Sequence, residues 1–407
     1  MRAEAAGDPG PWRQQALVGR DRWDADTMRD MVREYVIAAL LCRRLGATAL
    51  KRPGRGEMDI QLQLPMDVPV SRLVARAKLA DAKGYSAVWV PDERFHREVY
   101  SCLGQIAAAT SRVLVGPSVT DPYARHPALA AMAIATLDEI SGGRAILGIG
   151  AGISGFAEMQ IDRRKPALAM REAIEVICMM LRGETVDYQG DVISLNQGRL
   201  AFMGPRASIP IYVAANGPLG QRMAAGTANG LIVQACASVE EVQALRVVIA
   251  EGAGRAGRNP EEVKLIAALR VCVADDGRAA RDAVRPTVAR YLGATSNRDT
   301  RHAYFVNLRT AEAQELALPL EEVARVASTG YSAGMAPYLS LLPLITDRHV
   351  DALALAGTVH EVVAHATALF EAGIDGILAR PTAPDSDMVD ETIIKLGAEV
   401  RPRVCLR

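Results

Sequence analysis

The sequence predicts an α/β fold: a closed (β/α)8 TIM barrel with a hairpin insertion and a long helical insertion before the eighth strand. Three observations carry that reading. From Met58 onward, short apolar runs alternate with longer amphipathic stretches. Such alternation implies a parallel sheet, because parallel strands need a crossover between them. Eight β-type runs fall within the 350 residues from Met58 to Arg407, a spacing that suits a closed barrel better than an open sheet.

The runs can be taken in order. Asp59–Leu64, Ala87–Pro91, Val113–Thr120 and Ala145–Gly150 are the first four strand candidates. Pro210–Ala215, Gly230–Gln234, Val263–Val273 and Gly376–Ala379 are the other four. Helical periodicity predicts Val70–Lys83, Ser101–Thr110, Pro127–Ile140, Pro166–Leu181, Leu219–Thr227 and Ser238–Ala253 between them. Two segments break the alternation. Thr185–Gly198 reads as a hairpin turning at Gln189-Gly190-Asp191, and Leu292–Thr346 reads as an insertion with helical pieces. Insertions at barrel strand ends shape the substrate side.

Residues 1–57 differ in character. They open on Asp8-Pro9-Gly10-Pro11, offer one helix-like block at Asp24–Leu45, and end in the basic, Gly/Pro-broken Lys51–Gly56. The expectation is an N-terminal extension, poorly ordered or forming one helix, ahead of a barrel domain over 58–407. The 407 residues carry 47 basic and 47 acidic side chains. That neutrality is a sum of opposites: residues 1–57 hold 11 basic and 8 acidic groups, the rest 36 and 39. A generic nucleic-acid or anionic-membrane binder would carry a basic excess, so neither is expected as a partner. Cys42, Cys102, Cys178, Cys236, Cys272 and Cys405 include no C-x-x-C pair, which suits reduced thiols in a cytoplasmic protein. Apolar stretches such as Ala128–Leu137 fall short of a membrane span.

Three segments bear on chemistry. Gly150-Ala151-Gly152-Ile153-Ser154-Gly155 is a literal G-x-G-x-x-G after a strand. It follows the fourth strand and lacks the acidic residue that a dinucleotide site places about 20 residues on, so a strand-end loop allowing close backbone approach is the better reading. In Ile209–Pro218 a strand runs into Asn216-Gly217, with Pro218 where a helix begins; free N–H groups there would attract a phosphate. Arg125 and Arg222 are further candidates to hold an anion. The third segment, Val115–Pro127, ends the third strand in small and hydroxyl residues. Its His126 caps or packs the loop more readily than it acts as a base. The scattered histidines form no metal-ligand spacing, since His360 and His365 are five apart, so no metal is expected.

Two long blocks then carry a family resemblance: GPSVTDPYARHPALAAMAIATLDEISGGRAILGIGAG and IPIYVAANGPLGQRMAAGTANGLIVQA. They resemble the bacterial luciferase-like oxidoreductases, most closely the methylenetetrahydromethanopterin reductase branch that uses the deazaflavin coenzyme F420. Weaker similarity runs from Met58 to the C-terminus. The resemblance implies a cofactor at the strand C-terminal ends and a non-prolyl cis peptide at Ser118–Val119, bulging toward its ring. It implies Asp92 beside the ring and hydride site, backbone contacts from Ala151 and Gly152, and a phosphate turn at Ala215, Asn216 and Gly217. It also implies a homodimer acting on a small-molecule substrate.

Departures accompany the match. Gln63 stands where the pterin reductases have a glutamate, Glu93 where they have a histidine, and Ile153 where relatives have an acidic residue. Neither relative's substrate is therefore carried over. Asp92 becomes the candidate for tuning the ring or relaying a proton, with Glu93 as acid/base candidate and His96 further along the loop. The leading expectation is an F420-dependent oxidoreductase transferring a hydride at a small organic substrate. The alternatives are an FMN-dependent luciferase-like monooxygenase and a non-catalytic barrel that only binds a ligand or partner.

Overall fold

A computed structural model of the protein describes residues 58–152, 154–293, 295–297, 300–303, 315–326 and 334–404. The leader helix expected within 1–57, Ile153, Cys42, Cys405 and parts of the long insertion lie outside those residues.

The eight expected strands are present as β1 (Asp59–Gln63), β2 (Ala87–Val90), β3 (Leu114–Pro117), β4 (Leu147–Gly150), β7 (Ile211–Ala214), β8 (Gly230–Gln234), β9 (Lys264–Val273) and β13 (Gly376–Pro381). They pair in parallel in the order β3-β2-β1-β13-β9-β8-β7-β4. Isolated parallel bridges Val115↔Ala145 and Thr120↔Ile149 join β3 to β4 and bring the ends of the sheet together. Between the strands run α1 (Val70–Ala82), α2 (Val99–Ala109), α3 (Pro127–Ser141), α4 (Pro166–Leu181), α5 (Pro218–Thr227), α6 (Val239–Arg255) and α7 (Gly277–Gly293). Each of α3, α4 and α5 starts on a proline, whose missing N–H costs nothing at that position.

Strand alternation sorts side chains into two cores. On β1, Ile60 and Leu62 face outward into the layer beneath the helices. On the inner side, the Trp89 indole N–H donates to Gln61 Oε1 at 2.7 Å, satisfying a donor that has no access to water. Trp89 meets Tyr212 edge to face at 6.0 Å, and Ala87, Ile146, Ile232, Ile266, Ala268 and Leu378 complete this interior cluster. The barrel centre is thus plugged by side chains, and a ligand must sit above it, at the strand C-terminal ends.

One pair of strands is irregular. Between the two bridges β3 advances five residues, Val115 to Thr120, while β4 advances four, Ala145 to Ile149. The extra residue is a bulge, which bends the strand and leaves its ladder locally unmade. The Ser118–Val119 peptide within it is cis, as the resemblance implied. Glycines make room for it: a Cβ on Gly148 would lie 2.3 Å from Pro117 O and 3.2 Å from Val119 Cγ1, and one on Gly150 2.5 Å from Val119 Cγ2. A Cβ on Gly116 would lie 1.7 Å from Ile146 O, a backbone atom that cannot swing away.

The expected hairpin forms as β5 (Val186–Gln189) and β6 (Ser194–Gly198). Its turn is held by Glu172 of α4, which accepts from the N–H groups of Asp191, Val192 and Ile193 at 2.9 Å each. Burial pushes that carboxyl up, but the three donors hold it below the usual glutamate value. Its contribution to stability is therefore present at neutral pH and lost as pH falls through the depressed value.

The long insertion holds the short strands β10 (Thr295–Asn297) and β11 (Thr300–Ala303), then α8 (Leu320–Val326) and a 3-10 stretch at Ala336–Leu344, and α9 (Asp347–Leu353) follows directly on its end. After it come β12 (Ala354–Gly357), α10 (Val359–Ala372) and, beyond β13, α11 (Ser386–Lys395). Strand β12 was not expected. Its four residues, Ala-Leu-Ala-Gly, lack β-branched character and gain their place by pairing with Arg270–Val273 of β9. No helix among the described residues is long and apolar enough to cross a membrane.

The strand crossing yields a test. Gly116→Ala is expected to cost about 3 kcal/mol or more, since overpacking against backbone cannot relax by a rotamer change. Gly254→Ala, in α6 with nothing within 4 Å of the new methyl, should be stabilising by roughly 0.5–1 kcal/mol. Urea unfolding of both variants beside wild type measures the difference.

Candidate active site

The strands end in loops that interlock. After β2, Asp92 accepts from Thr120 Oγ1 at 2.8 Å and from Arg125 Nε at 3.2 Å. Arg125 also reaches Glu98 Oε1 at 3.1 Å and lies 4.9 Å from the centre of the Tyr100 ring. Burial would lower the Arg125 guanidinium, but the Asp92 carboxylate beside it raises it above its ordinary value. Arg94 forms an ion pair with the buried Asp121 and sits 5.7 Å over Phe156. Asp121 in turn accepts from the N–H groups of Tyr123 and Ala124. The loops after β2, β3 and β4 are in this way tied into one wall.

Behind the bulge, the buried Gln63 Nε2 donates to Ser118 O at 2.7 Å and to Ser118 Oγ at 3.1 Å. The Ser118 N–H donates to Val90 O at 2.8 Å. Gln63 is the residue that replaces a glutamate in the resemblance, and its amide does what an ionised carboxylate cannot: it donates. Its place in β1 therefore serves the bulge.

A cavity of about 140 Å3 opens beside the bulge, lined by Ser118, Val119, Ala214, Ala215, Asn216, Ile232, Gln234, Ala268 and Arg380. Four of the expected site residues meet there: Ser118, Val119, Ala215 and Asn216. The Asn216 side chain is fixed, because its Oδ1 accepts from Gln234 N–H at 3.1 Å. Gln221 Nε2 donates to the carbonyls of Ala215 and Asn216 and shapes the turn. Gly217 is exposed and takes the N-cap position of α5, so the first N–H groups of the helix have no side-chain cap.

The other expected residues do not line the cavity. Asp92 is joined to it through Thr120, next in sequence to Val119. Glu93 is half-buried in the same loop, whose His96 is exposed. Ala151 uses its carbonyl to accept from Arg163 Nε at 3.1 Å. Gly152 has φ +59, and a Cβ there would lie 2.8 Å from the Phe156 ring and 3.1 Å from the Asp121 carboxyl. Its glycine is therefore required by packing. The G-x-G-x-x-G segment opens no helix, since α4 begins only at Pro166.

Arg125 and Arg222, considered as anion holders, are each engaged by carboxylates, Arg222 by Glu251 at 3.1 Å. His126 caps α3: its Nδ1 accepts from Ala128 N–H, and its Nε2 donates to Ser194 O. Among the described residues no group of three His, Cys, Asp or Glu could hold a metal ion.

Sequence reading missed Ala214, Ile232, Gln234, Ala268 and Arg380. Their signal is parity. Each lies an even number of residues from an inward core residue on its strand, Tyr212, Ile232, Ile266 or Leu378, or is that residue itself.

The chain is similar to known proteins over most of its length. The family model described as luciferase-like monooxygenase matches residues 47–376. The 5,10-methylenetetrahydromethanopterin reductase of Archaeoglobus fulgidus is 31% identical over 350 residues, covering 85% of this chain and 100% of the relative. An F420-dependent glucose-6-phosphate dehydrogenase of Beutenbergia cavernae is 32% identical over 230 residues, covering 52% of this chain and 67% of the relative. The solved structure of the coenzyme F420-dependent tetrahydromethanopterin reductase from Methanopyrus kandleri superposes with a TM-score of 0.75 at 27% identity, covering 86% of this chain and 100% of that one.

The bond behind the bulge gives a signed pH prediction. In Gln63→Glu the new carboxyl can donate to Ser118 O only when protonated, so its folded pKa is raised above the ordinary glutamate value of about 4.3. The variant should match wild type at pH 5 more closely than at pH 8, where it is expected to be less stable by about 1–3 kcal/mol. Thermal unfolding of both proteins at the two pH values checks this.

Proposed function

The chain belongs to the luciferase-like monooxygenase family, and we propose that within it the protein is a deazaflavin-dependent oxidoreductase. In this reading it binds coenzyme F420 at the barrel mouth and moves a hydride between the ring and a small organic substrate. The observation that carries the reading is the Ser118–Val119 bulge lining a strand-end cavity whose other side is the Asn216 turn. Relatives with two different substrates, a pterin and a sugar phosphate, share the F420-dependent names. That is why the cofactor transfers further than the substrate.

The residues fit such a group. Val119, Ala214, Ala215 and Ala268 are small, so a planar ring can approach the backbone closely. The uncapped start of α5 suits a phosphate. When bound, the deazaflavin supplies the two-electron hydride chemistry.

The chain's own residues do the rest. Gln63 holds the Ser118 carbonyl, and with it the bulge that fixes the ring's depth and leaves one face open to substrate. Asp92 orients Thr120 and Arg125, so it works through the wall it braces. Glu93, in the same loop, is the acid/base candidate for exchanging a proton with substrate. Trp89, Ile232 and Leu378 close the cavity from below against water.

Side-by-side titration with F420 and FMN, followed by cofactor fluorescence, tests the reading. Wild type should bind F420 at least about tenfold more tightly than FMN. Asn216→Asp keeps the Oδ1 acceptor for Gln234 but sets a negative charge in the phosphate turn, and should weaken F420 by about tenfold with unchanged melting. Purified protein that retains FMN and ignores F420 would overturn the cofactor assignment.

A further inference from the structure

Strands β9 and β13 run in register, with Ile266 opposite Gly376, Ala268 opposite Leu378 and Arg270 opposite Arg380. Ala268 and Leu378 face the barrel interior. By the two-residue period of a strand, Arg270 and Arg380 face the same way one layer higher, at the level of the mouth. Both are half-buried, and Arg380 lines the cavity beside Ser118, Val119 and Ala268. Like charges placed directly opposite on paired strands repel, and repulsion grows as the surroundings dry out. A fold does not set two guanidiniums there for packing alone, since aliphatic residues would fill the layer at lower cost.

A buried phenol joins the pair. Tyr291 of α7, only 3% exposed, accepts from Arg270 Nε at 3.3 Å. Burial pushes the Tyr291 hydroxyl up, yet the Arg270 and Arg380 guanidiniums outweigh burial and draw it below the ordinary tyrosine value. The cluster therefore already favours negative charge on an oxygen in its reach.

We propose that Arg270 and Arg380 form an oxyanion-binding wall of the cavity, taking a planar anionic group from the molecule that occupies it. The group is either a carboxylate on the small organic substrate or the delocalised N–C–O edge of the reduced coenzyme ring. The fork of an arginine matches either two-atom acceptor edge. Tyr291 is the positioning residue: its hydroxyl meets both guanidiniums, so they do not turn away. The inference deepens the functional reading above, but its first arm does not need that reading to hold.

The experiment is calorimetric titration of the full chain with sodium benzoate, and separately with oxidised and reduced F420, using wild type, Arg380→Gln and Arg270→Gln. If the oxyanion belongs to the substrate, benzoate binds wild type, neutral benzamide does not, and each variant weakens benzoate by about tenfold or more. The preference for reduced over oxidised F420 then does not respond to the substitutions. If it belongs to the ring, the preference for reduced over oxidised F420 falls by about tenfold in the variants, and benzoate shows no binding.

A measurement on unmutated protein guards against variants that fail to fold. Ultraviolet titration should find one tyrosine ionising ahead of the rest. Whichever anion binds should move that ionisation to higher pH, by competing with the phenolate for the same guanidiniums. The proposal is overturned if neither benzoate binding nor the F420 preference responds to the substitutions in folded protein. It is equally overturned if neither anion moves the early tyrosine. Absence of any F420 binding, with benzoate behaving as expected, would sink the coenzyme reading and leave the oxyanion wall standing.

Discussion

The site rests on one steric allowance: β3 carries one more residue than β4 between their two bridges, and glycines absorb it. Gly148 and Gly150 leave the space that Val119 occupies, and Gly116 lets β3 pass the Ile146 carbonyl. Any side chain at these positions would push the strands apart, and with them the loops that follow. The bulge turns the Ser118–Val119 peptide into the mouth, where Gln63 fixes it from behind and Thr120 ties it to Asp92. From there the constraint spreads outward. Asp92 holds Arg125, Arg125 holds Glu98, and Asp121 holds Arg94 against Phe156. The chemistry-bearing wall is thus a consequence of where side chains are missing.

Charge in this molecule is local. The neutral total conceals ion pairs that commit Arg94, Arg125 and Arg222 to carboxylates. The barrel's own register sets Arg270 beside Arg380, and Arg380 lines the cavity. In the proposed reading, anion affinity comes from the N–H groups that open α5 and from the cross-strand pair of Arg270 and Arg380. Both are short-range devices, suited to holding a small anionic ligand in one orientation and unsuited to gathering a polyanion.

Much of this was legible in the sequence, for identifiable reasons. The barrel strands announce themselves because buried parallel strands are short apolar runs between amphipathic helices, and all eight lie within about three residues of expectation. The one long overestimate, Val113–Thr120 against Leu114–Pro117, arises because β-type residues continue through the bulge while the ladder stops and resumes at Thr120. Strand β12 escaped because alanines and glycine carry no strand signature. The last barrel strand was expected to end at Ala379 but continues to Pro381, and that boundary hid an inward-facing arginine. The cis peptide was legible only through family resemblance, whereas the Asn216-Gly217 turn showed in the sequence as a strand running into a proline-started helix. Gln63 looked like a missing carboxylate until its amide was seen donating to Ser118. Pairings of that kind depend on register and rotamer, which a linear pattern does not encode.

The central claim is that the bulge and the α5 turn together seat one planar, phosphate-bearing coenzyme. A crystal structure of the chain soaked with F420 tests it most directly. The account predicts the ring in van der Waals contact with Val119 and the backbone at Ser118, with the phosphate on the N–H groups that open α5 beside Gly217. A ring bound elsewhere on the barrel, or a phosphate far from Asn216 and Gly217, would contradict it.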